Sequence, residues 1–278
     1  MANQASDNQN LQIVYLTDPA FILPNHLKAW LNDGIYKRAI ALIPIYLGLV
    51  LLSSLNAKAQ GLETVSLQIM PVFGNTIIKT GDETITKVRL ESGTKDSLAI
   101  SNFRFYISGT RLMLNNETIW AEAGIGSYHL ADASKPASLQ IPLNIPKGIA
   151  YNRIAFNLGI DSLTNAGGAK GGSLDAANGM YWAWHSGYIN MILEGSSPLC
   201  KTRKHGFQYH LGGFRQGEYC MQKIVLPVNN KAATIQIKAD ASVFINREML
   251  VNEANSMTPG KRVTELSKKA AGMFSVGN

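Results

Sequence analysis

The sequence predicts an all-β domain: an antiparallel β-sandwich or irregular barrel of about ten short strands, with long loops and a short C-terminal helix. Two observations predict it. From Gln60 onward, short runs of alternating apolar and polar residues recur between turn signals, the period-2 pattern of strands with one buried face. Helical spacing of apolar residues appears only near the C-terminus.

The beginning of the chain stands apart from that domain. Ala39 to Leu55 is an uncharged run, preceded by Lys37 and Arg38 and followed by Ala57-Lys58-Ala59. A basic n-region, an apolar h-region and small residues where a peptidase reads them make a signal peptide, cleaved after Ala59. The competing reading is a membrane anchor, since a spanning helix needs about 17 to 25 residues. Pro44 within the run and the Ala-x-Ala site favour cleavage, with no stable membrane insertion afterwards. The stretch before Lys37 is longer than an n-region needs, so it is leader or an over-extended start. Residues 1–59 are thus read as leader and signal peptide, and 60–278 as one domain, periplasmic or secreted and long enough to bury a sizeable core.

Within the domain the expected strands run in order. Glu63 to Val72 comes first, then Thr86, Val88 and Leu90 alternating with Lys87 and Arg89, then Phe103, Phe105 and Ile107 alternating with Asn102, Arg104 and Tyr106. Ser127 to Leu130, Ser138 to Ile145 and Ile154 to Ile160 follow. The later ones are Tyr181 to Leu193, Gly206 to Leu211, Met221 to Val228 and Thr234 to Lys238. Two helices are expected on the outside of the sheets, one around Val243 to Leu250 and one over Lys261 to Met273, entered by Pro259-Gly260. Asp161 to Gly179, with Gly167, Gly168, Gly171, Gly172 and Gly179, reads as a long irregular loop, a kind that tends to be functional or disordered.

Composition excludes more than it assigns. The chain has 26 basic and 19 acidic residues, a net charge of +7. The short basic clusters at Lys201, Arg203 and Lys204 and at Lys261, Arg262, Lys268 and Lys269 lack interleaved aromatics. They read as solvated faces, so nucleic acid is not an expected partner. No G-x-S-x-G elbow, H-E-x-x-H, C-x-x-C, Walker loop or G-x-G-x-x-G occurs, and the acidic residues are scattered. The expectation is a protein that is not an enzyme. The two cysteines, Cys200 and Cys220, both fall in the exported domain, where an oxidising compartment lets them pair. A disulfide there is expected, worth about 3 kcal/mol for so short a loop.

Three groups of residues remain as candidate sites. In Gly179-Met180-Tyr181-Trp182-Ala183-Trp184-His185-Ser186-Gly187-Tyr188, an extended strand puts Trp182, Trp184 and Tyr188 on one face and Tyr181, Ala183 and His185 on the other. That face is either core or a platform for a sugar or another flat ligand. In Gly206-Phe207-Gln208-Tyr209-His210-Leu211-Gly212-Gly213, His210 precedes two glycines that allow close approach from another element. Asp161, Asn165 and Asp175 offer oxygens to a hard cation such as calcium, or else close Asx turns; their spacing matches no EF-hand loop.

The ordered series Phe156-Asn157-Leu158-Gly159-Ile160-Asp161-Ser162-Leu163-Thr164-Asn165, Gly171-Gly172-Ser173-Leu174-Asp175, the Trp182/Trp184 stretch and Phe207-Gln208-Tyr209-His210-Leu211-Gly212-Gly213 resembles the MbnP family. Phe105-Tyr106-Ile107-Ser108 and Trp120 fit its first half, so the likeness spans essentially all of 60–278. The resemblance implies an exported copper-binding protein of the MbnP and MopE-like kind. There the metal is held by histidines and by a tryptophan oxidised to kynurenine, the oxidation being done by a dihaem partner of the MauG or cytochrome c peroxidase type. Imidazole and amine nitrogens both suit copper. Carried over, Trp182 and Trp184 stand at the family's W-x-W position and His210 at its Y-H-L-G position. The family's histidine two residues after the modified tryptophan has no counterpart: Trp184 follows Trp182 at that distance, Ser186 follows Trp184, and His185 is one residue off. A bulge at Ser186 or Gly187 is what would turn His185 inward.

Overall fold

The first strand, β1 (Leu62–Phe73), alternates buried Val65, Leu67 and Ile69 with more exposed residues and organises the smaller of two sheets. The computed structural model describes residues 61–82, 84–90, 96–184, 187–229 and 232–277. The expected leader, its apolar run and the cleavage site lie outside these. Along one edge β1 pairs antiparallel with β7 (Gln140–Pro146) and, at its end, with β2 (Thr76–Ile77). Along the other it pairs with β13 (Thr234–Asp240), which pairs with β15 (Phe274–Val276).

The larger sheet is built on β4 (Ser97–Leu114), eighteen residues long and able to hold different partners at its two ends. Its first half pairs with β3 (Thr86–Arg89), β6 (Tyr128–Asp132) and β10 (Gly187–Ser196). Its second half pairs with β5 (Glu117–Ala121) and β8 (Arg153–Leu158). Beyond β8 lies β12 (Gln222–Pro227); beyond β10 lie β11 (Gly206–Gly212) and the short β14 (Asn255–Ser256). A two-residue strand, β9 (Tyr181–Trp182), pairs with the start of β10.

The all-β class and the alternating strands hold, with three differences from the sequence reading. The pairing is not wholly antiparallel, because β1 and β13 run parallel. Parallel neighbours need a long crossover, and here all of the larger sheet except β14 lies between them in sequence. The helix expected around Val243 to Leu250 is two helices, α2 (Ala241–Phe244) and α3 (Arg247–Asn252). The Asn246 side chain accepts from the Met249 amide at 2.9 Å and so caps α3 as a separate start. The strand expected over Tyr181 to Leu193 is interrupted after Trp182.

The main core lies between the sheets, where Leu67, Ile69 and Ile237 of the smaller meet Phe103, Phe105 and Phe156 of the larger. Phe274 sets its ring edge-on to both Phe105 and Phe156, at 5.5 and 5.4 Å between centroids. The C-terminal helix α4 (Lys261–Ala271) adds Val263, Leu266 and Ala270 to this core. A second, smaller core forms on the opposite face of the larger sheet, with Tyr106, Leu174, Met180, Trp182, Tyr188 and Ile192 among its members. No helix among the described residues is long and apolar enough to cross a membrane.

Candidate metal centre

The candidate site grows from the register of three adjacent strands. Ile192 of β10 stands opposite Arg104 of β4 on one side and His210 of β11 on the other; Glu194 likewise stands between Asn102 and Gln208. Residues two apart share a face, so these side chains project together on the side away from the main core. Between them Leu193, Phe103 and Tyr209 point inward.

On that outer face Glu194 is the hub. Its Oε1 accepts from His210 Nε2 at 2.7 Å and from Gln208 Nε2 at 3.3 Å, while its Oε2 accepts from Asn102 Nδ2 at 2.8 Å. The hydrogen bond from His210 is the main cause that holds the Glu194 carboxyl below its ordinary value, against the opposing effect of burial, with Asn102 and the Arg104 charge assisting. Arg104 orients Asn102, its Nε donating to Asn102 Oδ1 at 3.0 Å, and its Nη1 donates to the carbonyl of Asn178 at 2.8 Å. Among the described residues nothing hydrogen-bonds His210 Nδ1. A cleft of about 420 Å³, lined in part by Asn102, Arg104, Asp132 and Glu194, opens beside the network.

The glycine-rich loop covers the rest of this face. Asp161 caps α1 (Ser162–Ala166), its Oδ1 accepting from the Thr164 amide at 2.9 Å, while its Oδ2 accepts from Tyr128 Oη at 2.6 Å. Asn165 is buried and donates to the carbonyls of Ile160 and Asp161, and its Oδ1 accepts from the Tyr188 amide at 2.7 Å. Asp175 accepts from the Ala177 amide at 2.8 Å. The three residues considered for calcium are therefore spread along the loop as caps and braces, their oxygens turned to the chain's own donors. Two tyrosines of the sheet pin the loop from below: Tyr106 Oη donates to the Ser173 carbonyl and Tyr188 Oη to the Leu174 carbonyl, each at 2.9 Å.

The same loop delivers Trp182. Its indole lies on Gly212, where a Cβ would come within 2.7 Å of Cζ3, so only glycine leaves room for the ring. Gly212 is two residues along β11 from His210 and on the same face, so Trp182 covers the outer side of the strand that carries His210. Trp184 is 64% exposed, with its ring centroid 5.5 Å from that of Trp182.

The shared face expected for Trp182, Trp184 and Tyr188 does not form, because the chain turns after Trp182 and pairs Tyr181 with Tyr188. Tyr188 is 1% exposed and Trp182 7%, so Trp184 alone presents an open indole and there is no three-ring platform for a sugar. His185 lies outside the described residues.

The cysteines also differ from expectation. Cys200 and Cys220 are both buried free thiols, with no disulfide between them. Each is engaged in its own packing: Cys220 Sγ donates to the Glu218 carbonyl at 3.3 Å and lies 3.6 Å from Thr264 Oγ1, while the Cys200 segment is held by the Ser197 carbonyl and by His205 Nδ1 on the Cys200 carbonyl at 2.8 Å. Burial pushes both thiols above their ordinary value.

As a copper site, the donor set is incomplete among the described residues. It offers one imidazole, with no bond to its Nδ1 among the described residues, and an indole lying over the same strand two residues away. No three His, Cys, Asp or Glu side chains gather to hold a metal among the described residues. His129 bonds Glu122 through Nε2 at 2.9 Å, and its strand neighbours Tyr128 and Leu130, rather than His129 itself, pack on the second core. The residues that sequence reasoning missed are Asn102, Arg104 and Glu194. Alternation marked Asn102 and Arg104 as polar positions, but only the strand order puts them beside His210.

A family model described as MbnP matches residues 62–259. A solved structure, MbnP from Methylosinus trichosporium, is similar over 66% of this chain and 77% of that chain, with 14% sequence identity and a TM-score of 0.47. No curated protein matches.

Proposed function

The chain belongs to the MbnP family, a family associated with copper, and from that premise we propose that it is an exported copper-binding protein, not an enzyme. His210 holds the metal through Nδ1, and Trp182, oxidised to kynurenine, supplies an amine nitrogen beside it; His185 is the candidate third ligand. The observation that supports this reading is that the Trp182 ring lies over Gly212, two residues along β11 from His210 and on the same face. Trp182 is preferred to Trp184 because its ring is held against the histidine strand while Trp184 faces solvent. The bound copper would be stored or carried, and nitrogen donors on rigid strands suit that task. The oxidation of Trp182 falls to a dihaem partner of the MauG or cytochrome c peroxidase type.

The test is metal content and intact mass of the protein purified from its native exported form. One copper per chain, with a mass change confined to the peptide carrying Trp182, is the expected result. Copper-free protein after exposure to Cu(I), with Trp182 unmodified, would refute the reading.

A further inference from the structure

The polar contact that His210 makes on the outer face involves a carboxylate that no motif of the sequence marks. Glu194 Oε1 lies 2.7 Å from His210 Nε2, and a carboxylate accepts, so the ring proton belongs on Nε2. A neutral imidazole with its proton on Nε2 has its lone pair on Nδ1, the nitrogen that nothing among the described residues engages. A metal-bound imidazole commonly donates its other N–H to a carboxylate, which fixes the tautomer and the ring plane and raises the basicity of the ligand.

The carboxylate is itself fixed. Asn102 donates to its second oxygen at 2.8 Å, Arg104 Nε holds Asn102 at 3.0 Å, and Arg104 Nη1 holds the Asn178 carbonyl at 2.8 Å. Asn178 closes the loop that leads, four residues later, into Trp182. One chain of hydrogen bonds thus joins the tryptophan's loop to the histidine's ring across three strands.

We propose that Glu194, held by Asn102 and Arg104, is the positioning residue of this site: it fixes His210 in the tautomer protonated at Nε2 and so presents Nδ1 as the metal donor. The proposal rests on the copper reading for its purpose, but the tautomer belongs to the metal-free protein and is measured there. Nitrogen-15 NMR of the metal-free chain should find the His210 proton on Nε2. Glu194→Ala should release it to a mixture of tautomers or to Nδ1, and Glu194→Gln, whose amide oxygen still accepts, should restore most of the Nε2 form. Cu(I) affinity, read by competition with a chromophoric chelator, should fall about 10- to 100-fold in Glu194→Ala and less in Glu194→Gln. Wild-type His210 protonated on Nδ1 overturns the proposal without any variant. So does a folded Glu194→Ala protein with the tautomer and affinity unchanged. If wild-type protein takes up no copper, the functional reading fails, while the tautomer measurement still decides the role of Glu194.

Discussion

The two faces of β4, β10 and β11 are made from alternate residues of the same strands and are held by different forces. Inward, Phe103, Phe105, Leu193, Tyr209 and Leu211 join a continuous apolar core between two sheets. Outward, Asn102, Arg104, Glu194 and His210 form a hydrogen-bonded network beside a small aromatic core under a loop. The inner face is stabilised by area removed from water, which is non-directional and tolerant of exchange among apolar residues. The outer face depends on directed bonds at a few positions, so it specifies geometry at little net gain in stability.

That contrast can be broken most forcefully from the inside. Phe105→Ala removes a ring with no exposure that contacts both Phe103 and Phe274, and should cost about 3–5 kcal/mol by chemical denaturation. A loss below about 1 kcal/mol would mean that the inner face is not the main source of stability. Next in size is Gly212→Ala, whose Cβ would meet the Trp182 ring and the Tyr188 carbonyl, each at 2.7 Å. Overpacking of this kind costs about 1–3 kcal/mol, and here tryptophan emission should shift as the indole is displaced. Unchanged emission would place Trp182 elsewhere.

A smaller effect comes from the loop. Asp161→Ala should cost about 0.5–2 kcal/mol by removing a helix cap. Burial works to raise the Asp161 carboxyl, but hydrogen bonds from Tyr128 and Thr164 outweigh it and hold the group below its ordinary value of 3.8. A carboxyl depressed by folding adds stability that is complete above its unfolded value and is lost as pH falls through the lower folded one. The difference between wild type and Asp161→Ala, read by thermal melts, should therefore narrow below pH 3.8 and stay constant above it. Smallest is the effect of a reductant, which should leave the melting temperature unchanged, since Cys200 and Cys220 are free. Denatured, unreduced protein should label at two thiols and native protein at none.

The inner face was legible in the sequence because burial on one side of a strand writes itself as period-2 alternation: Phe103, Phe105 and Ile107 were readable from their spacing alone. The outer face was legible only in part. His210 and Trp182 stood out as rare residue types beside glycines. Glu194 did not, because its meaning comes from Asn102 and His210, whose strands lie on either side of β10. The break after Trp182 was hidden because β-propensity runs unbroken through Tyr181, Trp182 and Trp184, and tertiary pairing of Tyr181 with Tyr188 overrode it. The free cysteines were misread because pairing was inferred from their number and compartment, which say nothing of where each thiol packs.

The copper proposed for this chain sits on the outer face at His210 and not at His129 or His205, the other described histidines. Copper retention should be compared in His210→Ala, His205→Ala and His129→Ala after Cu(I) loading and desalting, with the fold of each checked by circular dichroism. His210→Ala should lose its copper while the other two keep about one per chain, since of the three only His210 lies on β11, the strand over which the Trp182 ring sits at Gly212. A folded His210→Ala protein that retains one copper as tightly as wild type would contradict it.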